Sequence, residues 1–211
     1  MDYASLRREF HSRPFDVTDA DADPFAQFEL WFREVISSGG TEVNAMSLAT
    51  ADANGRPDIR MVLLKELDPR GFVFFTNYGS HKAAQLAVNP HAALCFYWPT
   101  LERQVRVEGK VERVSEAESD AYFAERPRGS QISAWASPQS EEVADRDALE
   151  RAFAEVEARY EGATVPRPAG WGGYRVIPSR LEFWQGRSSR MHDRVEYRHS
   201  PDGWTKRRLA P

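Results

Sequence analysis

Near the C-terminus, the segment Leu181-Glu-Phe-Trp-Gln-Gly-Arg-Ser-Ser-Arg-Met-His-Asp-Arg194 places an indole (Trp184), two guanidiniums (Arg190 and Arg194) and an imidazole (His192) beside an expected strand. An indole offers an apolar face. Guanidiniums offer planar forks for phosphate or carboxylate. Together they suit a flat anionic ligand. The plainer reading is a solvated basic hairpin.

Other polar clusters recur upstream. Arg60-Met-Val-Leu-Leu-Lys65 carries a cation at each end of an apolar run. In a regular strand residues five apart point to opposite faces. Either the two cations address different ligands or the strand bulges; an edge strand protected by charge is the alternative. Phe75-Thr76-Asn77 leads through Gly79 and Ser80 to His81 and Lys82. That is a strand, a turn and a helix N-terminus, whose free N–H groups favour anions. Tyr122, Arg126 and Ser130 are spaced by four. Two hydroxyls and a guanidinium make a phosphate grip, or Arg126 simply answers a helix C-terminus. Pro127 should end that helix and leave Ser130 in a loop. Ser140, after Gln139, reads as the N-cap of the next helix.

No nucleophile elbow, P-loop or GxGxxG is present, and carboxylates are not clustered in pairs. The chain supplies cations, aromatics and hydroxyls rather than acids and nucleophiles, as in an enzyme whose cofactor does the chemistry. Five scattered histidines and one cysteine form no zinc spacing, so no metal is expected.

These groups need elements to hold them. Residues 1–22 are polar and Asp-rich and read as a mobile arm, with one domain expected over 23–211. Asp23-Pro24 opens a helix that Gly39-Gly40 stops. Strands are expected at Ala45–Ala51, Asp58–Glu66 and Gly71–Asn77, forming an antiparallel meander. A helix over Ser80–Val88 precedes strands Ala92–Trp98 and Gln104–Val114. Ser115-Glu-Ala-Glu118 is a capping box, and a long amphipathic helix covers Glu141–Glu161. Gly173–Val176, Leu181–Gln185, Arg194–Arg198 and Trp204–Arg208 are the last strands. The expected class is α+β, mainly β: a closed or nearly closed antiparallel barrel with helices outside.

The chain has 211 residues, 41% of them hydrophobic and 12% aromatic, enough for a core. A net charge of -4 and a pI near 5.8 argue against a general nucleic-acid binder. No apolar run is long enough for a membrane span, and the N-terminal residues lack the apolar stretch of a secretion signal. The lone Cys95 sits in an apolar run as a buried thiol, and the cytoplasm is the expected compartment.

Arg60–Lys65, Phe75-Thr76-Asn77, Ser80-x-Lys82, Leu101-Glu-Arg-Gln-Val105, Arg126-Pro-Arg-Gly-Ser-Gln-Ile132, Phe183-Trp-Gln-Gly186, Arg190-Met-His-Asp-Arg194 and Arg208-Leu-Ala-Pro211 together resemble the pyridoxine/pyridoxamine 5′-phosphate oxidases. The likeness runs in order from about Leu6 to Pro211. It implies a homodimeric, Greek-key-like split β-barrel with FMN at the subunit interface. By that resemblance FMN is held by Arg60, Met61, Val62, Leu63, Leu64, Lys65, Phe75, Thr76, His81, Lys82, Gln104, Gln139, Ser140, Trp184 and Arg194. Lys65, Tyr122, Arg126 and Ser130 would take the substrate phosphate. Arg190, Met191 and His192 would lie at the pyridine ring, with Arg190 and His192 the catalytic pair. Arg7, Arg8, Glu9 and Phe10 match a segment that folds over the substrate.

The implied reaction oxidises pyridoxine or pyridoxamine 5′-phosphate to pyridoxal 5′-phosphate, with dioxygen as acceptor and no nucleic-acid or membrane partner. Two positions depart from the family: His81 replaces a usual arginine and Phe10 a usual tyrosine. The alternatives are a same-fold oxidase of another aromatic, such as a phenazine precursor, a deazaflavin-dependent reductase, or a non-catalytic pyridoxal phosphate or flavin carrier. The phosphate grip and the Arg190/His192 pair weigh against them.

Overall fold

The computed structural model describes residues 9–10 and 12–211. Arg7 and Arg8 of the expected lid lie outside them. The first helix, α1, runs Pro24–Ser37, with the Asp23 carboxylate accepting from the Phe25 N–H at 3.0 Å and proline in the first turn. Its buried stripe of Phe28, Trp31 and Val35 faces the barrel. Phe28 meets Phe72 and Phe96 at 5.0 Å each, so helix and sheet share one aromatic core.

Strands β1 (Ala45–Ala51), β2 (Pro57–Leu63), β3 (Glu66–Asp68), β4 (Gly71–Asn77), β5 (His91–Trp98), β6 (Arg103–Arg113), β7 (Trp171–Gln185), β8 (Asp193–Ser200) and β9 (Gly203–Arg208) form one antiparallel sheet. The order β2-β1-β5-β6-β7-β4-β3, with β8 and β9 extending from β7, corrects the expected meander. β1–β2 and β3–β4 are separate hairpins at opposite ends of that order. They are separate because the expected strand over 58–66 breaks. The Leu64 N–H donates to the Asn44 carbonyl at 2.8 Å, while the Lys65 N–H donates to the Val73 carbonyl at 2.9 Å. The chain thus steps from one edge of the sheet to the other, drawing the edges together into a nearly closed barrel.

Between β4 and β5 lies α2 (His81–Val88). After β6 come α3 (Glu116–Glu125), α4 (Arg128–Ala136) and α5 (Arg146–Arg159). The α3 capping box forms as expected, Ser115 and Glu118 bonding reciprocally. Two expectations are corrected here. Ser130 lies within α4 rather than a loop, because Pro127 ends one helix and begins the next. The last helix is capped by Asp145, whose carboxylate accepts from the Ala148 N–H at 2.6 Å. Ser140 instead takes a positive φ of 74° in the preceding loop.

The long strand β7 merges two expected strands. A bulge against β6 between Glu108 and Gly109 lets it bend. A Cβ at Gly109 would sit 2.0 Å from the Ile177 carbonyl oxygen, so the bend requires glycine. Residues 12–22, expected in the arm, lie against the barrel: Phe15 and Ala20 are buried and the Tyr197 hydroxyl donates to the Asp21 carbonyl at 2.7 Å.

The outer face of β6–β9 carries an ionic ladder. Glu182 and Glu196 are almost fully buried. The Arg194 guanidinium donates to both oxygens of Glu182 at 2.9 and 3.0 Å. Arg180, Arg198 and Arg207 converge on Glu196 at 2.5–2.8 Å. Burial opposes ionisation of Glu196, but the three guanidiniums outweigh it and hold its pKa at about 2, below the ordinary 4.5. A lowered carboxylate pKa stabilises the fold above pH 4.5, and that contribution is lost as pH falls toward about 2. Replacing Glu196 by glutamine should cost about 2–3 kcal/mol in urea unfolding at neutral pH. It should also flatten the acid limb of stability against pH; an unchanged acid limb would contradict this role.

Candidate functional site

Where the sheet edges meet, a cavity of about 1080 Å³ opens between β2, the end of β4, α2, α3 and α4. Arg60, Met61, Val62 and Leu63 line it from β2, and Lys65 joins them past the strand break. The break answers the spacing question: Arg60 and Lys65 reach one cavity because the strand does not continue. Leu64, between them, is not brought to the cavity. Its side chain enters the core, its N–H donates to the Asn44 carbonyl and its carbonyl accepts from the Asn44 side chain at 3.1 Å.

The floor is cationic. Lys82, in the first turn of α2, is 6% exposed, and Nζ donates to the hydroxyls of Thr76 at 3.1 Å and Ser80 at 3.3 Å. Among the described residues it has no carboxylate within ion-pair distance. Burial, then the nearby Arg60, push its pKa down, against a weaker pull from Asp58. Asp58 accepts from Arg60 at 2.5 Å and pairs with Nδ1 of His81 at 3.0 Å. Gln139 accepts from the Thr76 hydroxyl at 3.0 Å and the Asn77 N–H at 3.3 Å, fixing the loop that carries Ser140. Hydroxyls, a helix N-terminus and under-compensated cations suit a phosphate.

Across the cavity stand Lys65, Tyr122, Arg126 and Ser130. Phe75 stacks on Tyr122 at 4.1 Å and on Trp171 at 5.5 Å, with the rings nearly parallel. Trp171 also lines this cavity. Sequence reading passed it over, because a tryptophan opening a strand looks like core; its neighbour in space, Arg126, is forty-five positions away.

The C-terminal cluster forms a second locus. Gln104 pairs with Trp184, and Trp184 with Arg194, across three neighbouring strands, so the three share the outer face. The His192 ring lies 4.7 Å from that of Trp184. Phe10 stands edge-on to both, at 5.7 Å from Trp184 and 5.6 Å from His192. Arg190 and Met191 are exposed beside them, with Ser189 and Arg190 at positive φ of 54° and 60°. Such backbone is uncommon for these residue types. The Arg187 N–H donates to Nδ1 of His192 at 3.1 Å, which leaves the proton of the neutral ring on Nε2. Burial, then the Arg190 charge, lower the His192 pKa against a weaker pull from Asp193.

None of Gln104, Trp184, Arg190, Met191, His192 or Arg194 lines the 1080 Å³ cavity. Trp171 and Trp184 belong to one strand, thirteen residues apart. At about 3.3 Å per residue that is roughly 40 Å of strand. The two loci therefore sit toward opposite ends of β7 within one chain. Glu66, Asp68 and Glu118 lie close enough to hold a metal ion, yet Arg70 and Arg175 already pair with Asp68 and Glu118.

The structure is a split antiparallel barrel with a cationic cavity at its seam and an aromatic-basic cluster near its C-terminus. Comparison places the chain more narrowly. The pyridoxamine 5′-phosphate oxidase family model matches residues 32–160, and the model for the pyridoxine 5′-phosphate oxidase C-terminal dimerisation region matches 171–211. The chain belongs to the pyridoxamine 5′-phosphate oxidase family. It is 58% identical over 209 residues to a pyridoxine/pyridoxamine 5′-phosphate oxidase of Ralstonia nicotianae, covering 99% of this chain and 98% of that one. The identity to the corresponding protein of Rubrobacter xylanophilus is 57%, covering 100% and 97%. A structure of PhzG from Burkholderia lata, in complex with tetrahydrophenazine-1-carboxylic acid, superposes with a TM-score of 0.88 at 31% identity, covering 92% and 95%. An FMN-binding protein from Nostoc punctiforme shares the fold, with a TM-score of 0.72 at 18% identity over 90% and 100%. No helix among the described residues is long and apolar enough to cross a membrane.

The tautomer is directly measurable. Nitrogen-detected NMR of His192 should show Nε2 protonated and a titration midpoint below 6.5. A midpoint above 6.5, or a proton on Nδ1, would contradict the geometry.

Proposed function

We propose that this chain is an FMN-dependent oxidase that converts pyridoxine 5′-phosphate or pyridoxamine 5′-phosphate to pyridoxal 5′-phosphate, acting as a homodimer. The observation that carries the reading is the buried Lys82, held by hydroxyls alone among the described residues, facing a second set of phosphate-binding groups across one cavity. Two phosphorylated ligands account for two grips. Full-length identity above half to curated oxidases of this name supports the same reaction.

The residues fit the flavin. Arg60, His81, Lys82, Ser140 and the α2 N-terminus would take its phosphate, and Met61, Val62, Leu63, Phe75 and Thr76 would flank the rest. Bound FMN would supply a two-electron acceptor, with dioxygen as the final oxidant and hydrogen peroxide as co-product. Lys65, Tyr122, Arg126 and Ser130 would hold the substrate phosphate. The alcohol then loses two hydrogens to give the aldehyde, whereas the amine gives an imine that water converts to aldehyde and ammonia. His192, neutral and protonated on Nε2, would donate to the substrate, and exposed Arg190 would orient it. Phe10 already covers the Trp184 and His192 rings, which supports a lid role for residues 7–10. A reducing cytoplasmic setting suits the lone thiol.

Gln104, Trp184 and Arg194 would reach the flavin from the partner subunit. The outer face of β2 exposes Ile59 at 65% and Met61 at 63%, and Tyr97 on β5 is 56% exposed, an apolar surface suited to a second copy. Oxidation of a phenazine precursor, suggested by the PhzG likeness, is the second reading. The intact phosphate grip favours the vitamer.

Anaerobic addition of pyridoxine 5′-phosphate to the flavin-loaded protein should bleach the visible flavin band. Air should restore it, with pyridoxal 5′-phosphate and peroxide as products. A bound flavin that never bleaches would redirect the search to another substrate or a carrier role. Arg190→Ala should lower turnover by about 10²-fold or more while flavin content stays within about two-fold; parallel loss of both would refute an orienting role. Mixing subunits of two inactive variants, Lys82→Ala and Arg194→Ala, should restore about a quarter of wild-type sites, since mixed dimers keep one intact site. No recovery on mixing would place both halves of the site in one chain.

A further inference from the structure

We propose that Trp171 is a positioning residue for Arg126, its indole face standing in for a counter-ion so that the guanidinium waits, uncompensated, for the phosphate of the substrate. The inference rests on reading the cavity as the seat of that phosphate. The Arg126 guanidinium carbon lies 4.5 Å from the centroid of Trp171 and 5.6 Å from that of Phe123. Nη1 of Arg126 is sealed from solvent and has no hydrogen-bond partner among the described residues. No carboxylate among the described residues pairs with it. Burial pushes its pKa down, with only Tyr122 pulling the other way.

A half-buried guanidinium with one nitrogen sealed from water and no anion beside it carries a desolvation cost. Elsewhere this chain avoids that state: buried Arg175 has Asp68 at 3.1 Å and Glu118 at 2.9 Å. At Arg126 the π faces are what the charge has. A cation over an aromatic face gains the most from tryptophan, and more when desolvated. The contact also fixes the plane of the fork, which a bidentate phosphate contact demands. Trp171 is held in turn, 6% exposed, stacked on Phe75 and edge-on to Phe123 at 5.2 Å. The stack of Tyr122, Phe75 and Trp171 thus couples the hydroxyl and the guanidinium of the grip through one set of parallel rings.

The test compares two aldehydes, pyridoxal 5′-phosphate and pyridoxal, binding to the flavin-loaded dimer, followed by absorbance. Their affinity ratio isolates the phosphate contribution. Trp171→Leu, which removes the face, should lower that ratio by about ten-fold, and Trp171→Phe, which keeps a weaker face and most of the packing, by about three-fold. Inorganic phosphate should compete correspondingly less well in both variants. Equal weakening of the two aldehydes, or a wild-type ratio in Trp171→Phe and Trp171→Leu, would overturn the proposal and leave Trp171 a packing residue. Should Trp171→Leu fail to accumulate folded, the Trp171→Phe ratio decides alone. A wild-type protein that does not prefer the phosphorylated aldehyde would instead overturn the reading of the cavity, a different failure from unchanged ratios in the variants.

Discussion

Strand β7 imposes the constraint on which the rest depends. It is one continuous element of 15 residues, hydrogen-bonded to β6 along almost its whole length and to β4 or β8 on its other side. Its first residue borders the cationic cavity and its fourteenth belongs to the aromatic-basic cluster. A strand so paired cannot fold back on itself without breaking its ladder. The two loci are therefore held apart within a chain, and bringing them together takes a second chain. The sheet holds Arg60, Trp171 and Trp184, while α2, α3 and α4 carry Lys82, Tyr122 and Ser130, and the turn after β7 carries Arg190 and His192.

Two uses of positive charge coexist on this scaffold, and their surroundings distinguish them. On the outer face, Arg180, Arg194, Arg198 and Arg207 are matched with the buried carboxylates Glu182 and Glu196. Those ion pairs hold the guanidiniums against protein carboxylates and tie β6–β9 together. At the cavity, Lys82 meets hydroxyls and Arg126 meets aromatic faces. Among the described residues those charges have no carboxylate within ion-pair distance, and an under-compensated cation at low dielectric attracts an anion strongly. Asp58 lies between these cases: it engages Arg60 and His81 at the cavity's rim, which lowers its own pKa and tempers the field there. Burial opposes that lowering, and Arg60 leads the groups that produce it.

Much of the local structure was legible in the residues, because local rules decide it. Asp23-Pro24, the Ser115–Glu118 capping box and the Asn54-Gly55 turn mark their elements through contacts within a few positions. The misreadings share a different cause. The run 58–66 looks like one strand by apolar content, but Leu64 bonds back to Asn44 while Lys65 already bonds forward to Val73 in the next hairpin, a change of partner the local pattern does not show. Ser140 looks like a cap, yet Asp145 caps the helix and Ser140 turns through positive φ instead. The helix Arg128–Ala136 escaped notice because Pro127 reads as a stop when it is also a start.

The sequence by itself determined the inventory and most of its partition: a β-rich chain, the residues able to hold phosphate, and motifs specific enough to mark the family. Those are properties of residue type and short spacing. Only the tertiary structure decided which groups share a space. It united Arg60 and Lys65 by breaking a strand, excluded Leu64 by turning it into the core, recruited Trp171 beside Arg126, and separated Trp184, His192 and Arg194 from the cavity. Proximity between residues far apart in the chain depends on sheet order, bulges and closure. Those are set by the packing of the whole barrel, which no short stretch of the chain encodes.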